Sequence, residues 1–249
     1  MDLPLTTAAT SDLIVLDSVD STNSYIAEDA GRFQDFSVVA SVNQTEGRGR
    51  RGRQWLSVPG RSLAVSVVVP FDCSSVAITW LPVLAGVAVV RSLQEISEQQ
   101  VDVKWPNDLL SDGKKVGGIL CQMLSSKRSI VGVGTNFAVR EADLPANGGS
   151  IWHPGFEFEH AVDTYLSSFV GNLRAALIGI AGLPDGEAIA RQLGPAVNTI
   201  GKTVRVHETK SLSWSGQAVG LSPRGHLIVR LPDGREREVV AADIEHLRE

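Results

Sequence analysis

Four arginines and three glycines fill the seven positions from Gly47 to Arg53, inside the stretch Gln44 to Trp55 that reads QTEGRGRRGRQW. Guanidinium forks suit phosphate and carboxylate oxygens, and glycine leaves the backbone free to bend around them. Like charges at this spacing repel by roughly 0.5 kcal/mol per neighbouring pair at about 7 Å in water. A packed core would not take that composition, so an anionic ligand is expected. Ordering such a loop costs about 1 to 2 kcal/mol per residue, and a charge-assisted hydrogen bond returns roughly 1.5 to 3 kcal/mol. The two sums are comparable, which predicts a loop that is mobile when empty and folds over a bound phosphate or carboxylate.

Two further groups could do chemistry. Lys115 follows the tight turn Ser111-Asp112-Gly113-Lys114 and precedes Gly117-Gly118. Glycines there would let a ligand approach closely, and a lysine is a point charge suited to a carboxylate or phosphate. Asn107 and Asp108 are turn formers, and Asp108 could also face Mg²⁺ or an amine. Ser21, Thr22 and Asn23 are, taken alone, helix-capping residue types; the functional alternative is a cluster of short polar groups around a small polar ring.

Other matches are false leads. GRGRRG fits G-x-G-x-x-G, with Asp72 further on, but that fingerprint must open a helix, and Pro59-Gly60 followed by a strand leaves no room for one. AVNTIGKT, Ala196 to Thr203, resembles a phosphate-binding loop with Ala196 at its first glycine. It opens a strand and lacks the following helix, so Lys202 is expected as a solvated residue. The histidines at 153, 160, 207, 226 and 246 show no metal-ligand spacing, and there is no G-x-S-x-G elbow.

These residues need elements to position them. Leu13 to Leu16 reads as a strand, followed by a helix capped at Asp20 or Ser21. Ser37 to Val42 and Leu63 to Val69 are strands joined by the basic loop. Val76 to Ile96 has helical spacing. Val101 to Leu110 is a short strand broken by Pro106. Lys115 to Leu120 and Ser129 to Phe137 form a hairpin. Helices are predicted from about 159 to 180 and from Gly186 to Leu193. After Gly194-Pro195 short valine-rich runs alternate with turns, the pattern of a small barrel. Domains are therefore expected at 1–195 and 196–249.

Bulk properties narrow the function classes. With 43% hydrophobic and 20% charged residues and a net charge of -5, the chain is an ordinary globular one on which the arginines are a local positive site. That balance disfavours general nucleic-acid binding. The N-terminus shows no secretory signal, and the apolar run Leu81 to Val90 falls short of the roughly 18 residues a membrane span needs, so a cytoplasmic location without membrane association is expected. Cys73 and Cys121 are expected to be reduced core or near-core thiols.

DSTN (Asp20 to Asn23), QTEGRGRRGRQW, KWPNDLL (Lys104 to Leu110), KVGGIL (Lys115 to Leu120) and GVGTN (Gly132 to Asn136) stand in the order and spacing of the biotin protein ligases, and AVGLSPRGHLIV (Ala218 to Val229) resembles their C-terminal SH3-like domain. The resemblance implies an α+β fold: a class II synthetase-like catalytic domain, its mixed sheet flanked by helices, plus a small C-terminal SH3-like β-barrel. It implies ATP, biotin and Mg²⁺ as ligands, a biotinyl-5'-AMP intermediate, and a biotin carboxyl carrier domain as partner.

Carried over by residue, Ser21, Thr22, Asn23 and Gln44 look like the pocket for biotin's ureido ring. Arg48, Gly49, Arg50 and Lys115 look like contacts to its carboxylate and the AMP phosphate. Arg50, Arg53, Trp55, Asn107 and Asn136 look like the nucleotide side, with Trp55 against adenine. Arg48, Lys115 and Asp108 are the catalytic candidates, Asp108 for the acceptor lysine; no metal ligands are assigned. Glu46 stands where the family most often has alanine. About a dozen residues precede the first strand, too few for the DNA-binding winged helix of bifunctional members, so a ligase without repressor activity is expected, as monomer or weak homodimer. The alternatives are a lipoate or octanoate ligase of the same superfamily, and a nucleic-acid-binding module using the arginine loop.

Overall fold

Alternation along two strands sets the architecture. In β3 (Ser62–Pro70) Leu63, Val65, Val67 and Val69 point to one face, while Ala64 and Ser66 point to the other; in β7 (Arg128–Asn136) Val131 and Val133 alternate with Gly132 and Gly134. Successive strand side chains face opposite sides, so one face of the sheet is apolar, while the other sets the small residues Ala64, Ser66, Gly132 and Gly134 beside a second apolar patch of Val39, Val68 and Ile130 packed on Ile26 and Phe33. The apolar face is covered by α3 (Leu81–Leu93) and α4 (Phe158–Ala181), whose buried Leu84, Leu166, Phe169 and Leu173 complete the main core. The small-residue face has room for a ligand.

The computed structural model describes residues 1–151, 157–209, 211–240 and 242–247; His153 lies outside them. A seven-stranded mixed sheet runs in the order β1-β2-β3-β7-β6-β5-β4. Its further strands are β1 (Asp12–Leu16), β2 (Ser37–Ser41), β4 (Asp102–Lys104), β5 (Asp108–Ser111) and β6 (Lys114–Met123). Only β1 and β2 pair in parallel; the other pairs are antiparallel. The helix predicted from Val76 is shorter than its apolar pattern: a 3₁₀ turn over Ile78–Trp80 leads into α3, which opens with Pro82 in its first turn, where a missing N–H costs nothing.

Two elements were not legible. Helix α1 (Pro4–Ala9) has no apolar periodicity, and its first turn is held from α4: Leu5 and Thr6 donate their backbone N–H groups to Asp163, and the Thr6 hydroxyl does the same. The last strand of the second sheet, β12 (Asp243–His246), was also unread. It pairs with β8 (Thr203–His207) in a five-stranded antiparallel sheet of order β11-β10-β9-β8-β12, built with β9 (Ser213–Leu221), β10 (Leu227–Arg230) and β11 (Glu236–Val239). The remaining helices are α2 (Thr22–Glu28), on the small-residue side of the large sheet, and α5 (Gly186–Leu193).

The second sheet is docked onto the first by buried tryptophans. Trp105 and Trp80 donate their indole N–H groups to the carbonyls of Gly225 and Pro223, each at 3.0 Å, and Asn198 N–H bonds the Val103 carbonyl at 2.9 Å. An indole meets both an apolar wall and a fixed acceptor there.

Candidate functional site

The N-terminus of α2 makes one wall of a cavity of about 1070 Å³. Ser21 is the N-cap, its hydroxyl accepting from Ser24 N–H. Thr22 and Asn23, the first two residues of the helix, are buried against the sheet. Gln44 Oε1 accepts from the Thr22 backbone N–H at 2.9 Å. Ser66 Oγ lies 2.7 Å from Thr22 Oγ1 and 2.6 Å from Asn23 Oδ1, and Asn23 Nδ2 donates to the Leu120 carbonyl. Each polar group has a partner, which fixes its orientation. Ser66 was not foreseen; its place on the small-residue face of a valine-rich strand is the signal that marks it.

The floor is glycine for a steric reason. A Cβ at Gly132 would stand 2.2 Å from Asn23 Oδ1, and one at Gly134 would stand 2.5 Å from the Trp55 ring. The Trp55 indole therefore lies across β7 and β6, and its Nε1 is buried without a hydrogen-bond partner.

The arginine stretch forms a closed turn. Gly49 N–H bonds Arg53 O at 2.7 Å, Trp55 N–H bonds Gly47 O at 2.8 Å, and Arg48 bridges Gln54. Gly47 admits no Cβ, which would sit 2.6 Å from the Trp55 carbonyl. Arg50 and Arg51 lie in a single 3₁₀ turn, Arg51 at φ +57°. Arg50 points inward and donates to Asn107 Oδ1 at 3.3 Å; burial, then the charge of Arg51, lowers its pKa from the ordinary arginine value. Arg51 and Arg53, which line the same cavity, pair with Asp243 of β12, Arg51 at 3.6 Å and Arg53 in direct hydrogen bond. Glu46 is exposed and outside the cavity.

Opposite the loop, Lys115 Nζ is hydrogen-bonded to Asp108 Oδ1, and Lys104 Nζ lies 4.0 Å from the other oxygen of the same carboxylate. Asn107 is held to β6 at both ends, its Nδ2 donating to Ile119 O and its carbonyl accepting from Ile119 N–H. The second sheet closes the far side with Lys202, Asp243 and His246. Lys202 is half-buried and lines the cavity, which corrects the expectation of a solvated residue. His246 Nε2 lies 3.1 Å from Thr199 Oγ1, which accepts from Trp105 N–H. Burial, then Lys202 and Lys104, push the His246 pKa down to about 4. Cys121 is a free thiol whose pKa is raised by burial, which keeps it unreactive.

Of the residues singled out in the sequence, Ser21, Thr22, Asn23, Gln44, Arg48, Gly49, Arg50, Arg53, Trp55, Asn107, Asp108 and Lys115 all line this one cavity. Asn136 does not: it is buried beside it, its Nδ2 donating to Gly149 O at 3.0 Å. The lining carries seven Lys and Arg against three Asp and Glu, a local excess of four positive charges on a chain of net charge -5. Such a site selects anions. Among the described residues no three His, Cys, Asp or Glu side chains cluster as a metal cage, and no helix is long and apolar enough to cross a membrane.

A glycine-floored mixed sheet, an arginine loop over it and a small antiparallel sheet docked at its side define a class: a two-sheet α+β protein with an anion-binding cleft. A model of the Biotin/lipoate A/B protein ligase family matches residues 15–136, and one of the Biotin protein ligase C terminal domain matches residues 199–247. The Biotin--[acetyl-CoA-carboxylase] ligase of Mycobacterium tuberculosis is 29% identical over 95% of this chain and 89% of its own length. The Bifunctional ligase/repressor BirA of Escherichia coli is 30% identical over 66% of this chain, which spans about half (52%) of that relative. The solved biotin protein ligase from Aquifex aeolicus in complex with biotin and ATP superposes with a TM-score of 0.73 at 25% identity, covering 96% of this chain and 100% of that one. The chain belongs to the biotin protein ligases of the biotin/lipoate A/B protein ligase family.

Proposed function

We propose that the protein activates biotin with ATP to biotinyl-5'-AMP and transfers the biotinyl group to a lysine of a biotin carboxyl carrier domain. The observation that carries this reading is the convergence, in one cavity, of a hydrogen-bonded polar wall (Thr22, Asn23, Gln44) with Arg48, Arg50 and Lys115. The wall suits a ureido ring, which offers both donors and acceptors. The cations suit two anions that must meet: the acid's carboxylate and the nucleotide's α-phosphate. Their mutual repulsion is the main obstacle to the first step, and preorganised positive charge in a half-closed cleft offsets it.

In this reading Arg48 and Arg50 bridge the carboxylate and the α-phosphate, Lys115 contacts the reacting carboxyl, and Trp55 moves from the glycine floor onto the adenine as ligand enters. Asp108, released from Lys115 when the anions take its place, accepts a hydrogen bond from the incoming lysine amine. Asn107 orients Arg50. Mg²⁺ keeps most of its waters and is commonly held by phosphates with one or two carboxylates; without a cage in the described residues, it would arrive with ATP, and Asp108 is the acid placed to meet it. The closed loop excludes water from the mixed anhydride.

The test is transfer of labelled biotin to a biotin carboxyl carrier domain with ATP and Mg²⁺; no transfer overturns the reading. Titration calorimetry with biotin against lipoate separates it from the lipoate ligases of the same family, biotin being expected to bind and lipoate not.

A further inference from the structure

The turn between β9 and β10 gives three consecutive carbonyls to side chains from outside the second sheet. Pro223 O accepts from the Trp80 indole and Gly225 O from the Trp105 indole, each at 3.0 Å, and Arg224 O accepts from the Thr79 hydroxyl. The turn is seated without slack. Gly225, at φ +74°, would bring a Cβ to 3.0 Å from the Trp80 ring, and a Cβ at Gly186 of α5 would stand 2.0 Å from Pro223 O.

From within its own sheet the turn is shaped by one carboxylate. Glu238 of β11 accepts at Oε1 from Ser222 Oγ at 2.5 Å, and His226 Nδ1 lies 2.8 Å from the same oxygen. An ionised carboxylate has no proton to give, so Nδ1 carries it. Hydrogen bonds from Ser222, then from His226, hold the Glu238 carboxyl below the ordinary glutamate range and keep it an acceptor. Ser222 and His226 are buried, and the N–H groups of Arg224 and His226 both meet Ser222 Oγ at 3.3 Å. A single oxygen thus ties both ends of the turn and fixes where Gly225 O points. None of the three side chains lines the cavity.

Trp105 is where this hold reaches the chemistry. It follows β4, a strand of three residues at the end of its sheet, and so short an edge strand is weakly held by its own ladder. The buried indole bond to Gly225 O, across 120 residues of chain, supplies the missing anchor. Asn107, which holds Arg50, and Asp108, which holds Lys115, come two and three residues later. We propose, on the ligase reading above, that Glu238 acting through Ser222 and His226 is a positioning residue for the reaction: it fixes the turn that grips the Trp105 indole, and so sets where Asn107 and Asp108 stand in the cavity.

The experiment pairs single-turnover transfer from preformed biotinyl-5'-AMP with solvent exchange of the Trp105 indole N–H, whose NMR signal is identified by its loss in Trp105→Phe. Glu238→Ala is expected to slow transfer and to speed indole exchange by about tenfold each, the scale of one buried hydrogen bond. Biotin affinity should change less than about twofold, because the wall of Thr22, Asn23 and Gln44 is held from α2, β3 and β6. In a Trp105→Phe background, Glu238→Ala should add less than about a twofold loss of transfer, since its effect runs through an indole already removed. Glu238→Gln keeps an acceptor and should restore most of both readouts. Transfer losses that multiply in the double variant, or indole exchange unchanged in Glu238→Ala, would overturn the positioning role and leave the three side chains as supports of the second sheet alone. Absence of transfer in the unaltered protein would overturn the ligase reading and the role in the reaction with it, whereas indole exchange, measured without substrates, reports on the grip itself. If melting curves show that Glu238→Ala does not fold, Ser222→Ala is read by the same criteria.

Discussion

Replacing Gly132 by alanine tests whether the polar wall and the glycine floor are one structure. The added Cβ would lie 2.2 Å from Asn23 Oδ1, 2.9 Å from Asn23 Cγ and 3.0 Å from the Leu120 carbonyl. Leu120 is strand backbone and cannot retreat, so Asn23 must. In moving it gives up the 2.6 Å contact to Ser66 and the 3.2 Å bond to Leu120 O. Two buried hydrogen bonds weakened and a small overpacking cost together amount to about 2 to 4 kcal/mol. In the free protein part of this relaxes by rotation of Asn23. In the complex it cannot, because Asn23 must face the ligand. Calorimetric biotin affinity is therefore expected to fall by about 30-fold or more, with a decrease in Tm of several degrees. Gly134→Ala is the matched control: its Cβ would meet the Trp55 ring at 2.5 Å, and Trp55 sits on a loop that can lift. It should disturb the loop and cost less Tm. Biotin affinity and Tm of Gly132→Ala within error of the unaltered protein would refute the coupling of floor and wall.

Other outcomes follow from the same geometry. Arg48→Ala and Lys115→Ala should each lower the adenylation rate by about 10²-fold, as lost transition-state donors do, and Asp108→Ala should slow single-turnover transfer from preformed biotinyl-5'-AMP; wild-type rates would remove these roles. Asp243→Asn should remove the ion pairs that Arg51 and Arg53 make with this carboxylate and make the Gly47 to Arg53 segment more protease-sensitive, with a global stability change under about 1 kcal/mol because these side chains are 38% to 65% exposed; equal cleavage rates would dismiss the clasp. His246 has a folded pKa of about 4, below its unfolded value of about 6.5. Between these values the unfolded chain binds more protons, so stability rises with pH across that window and is lost as pH falls through it. After discounting for partial exposure the effect is about 1 to 2 kcal/mol, and a His246→Gln variant with the same acid sensitivity in denaturant titrations would contradict it.

Strands and helices with a strong local signal were legible in the chain. Helix α5 starts and ends where its cap and glycine say, because Asp185 accepts from Ala188 N–H and Gly194 follows. The hairpin of β6 and β7 followed from valines bounded by turn residues. Helix α1 was not legible because its stabilisation comes from Asp163, more than 150 residues away. Asn136 reads as near the nucleotide because its motif stands beside the others; it lies beside the cavity, its Nδ2 donating to Gly149 O.

Local chemistry was enough to expect an anionic ligand at the stretch from Gly47 to Arg53, since no folded interior accepts that charge density. The association of that stretch with Lys115, Asp108 and the polar triplet Ser21 to Asn23 came from the resemblance of their motifs, in order and spacing, to those of the biotin protein ligases. Local chemistry could not divide the arginines among their partners. Only the docking of the second sheet puts Asp243 against Arg51 and Arg53 while leaving Arg50 to Asn107, and turns Lys202 from a strand-edge residue into part of the cavity wall. The reason is physical: a charge declares its sign in the sequence, but its partner is set by which groups approach within a few ångströms in the fold, and here those groups come from opposite ends of the chain.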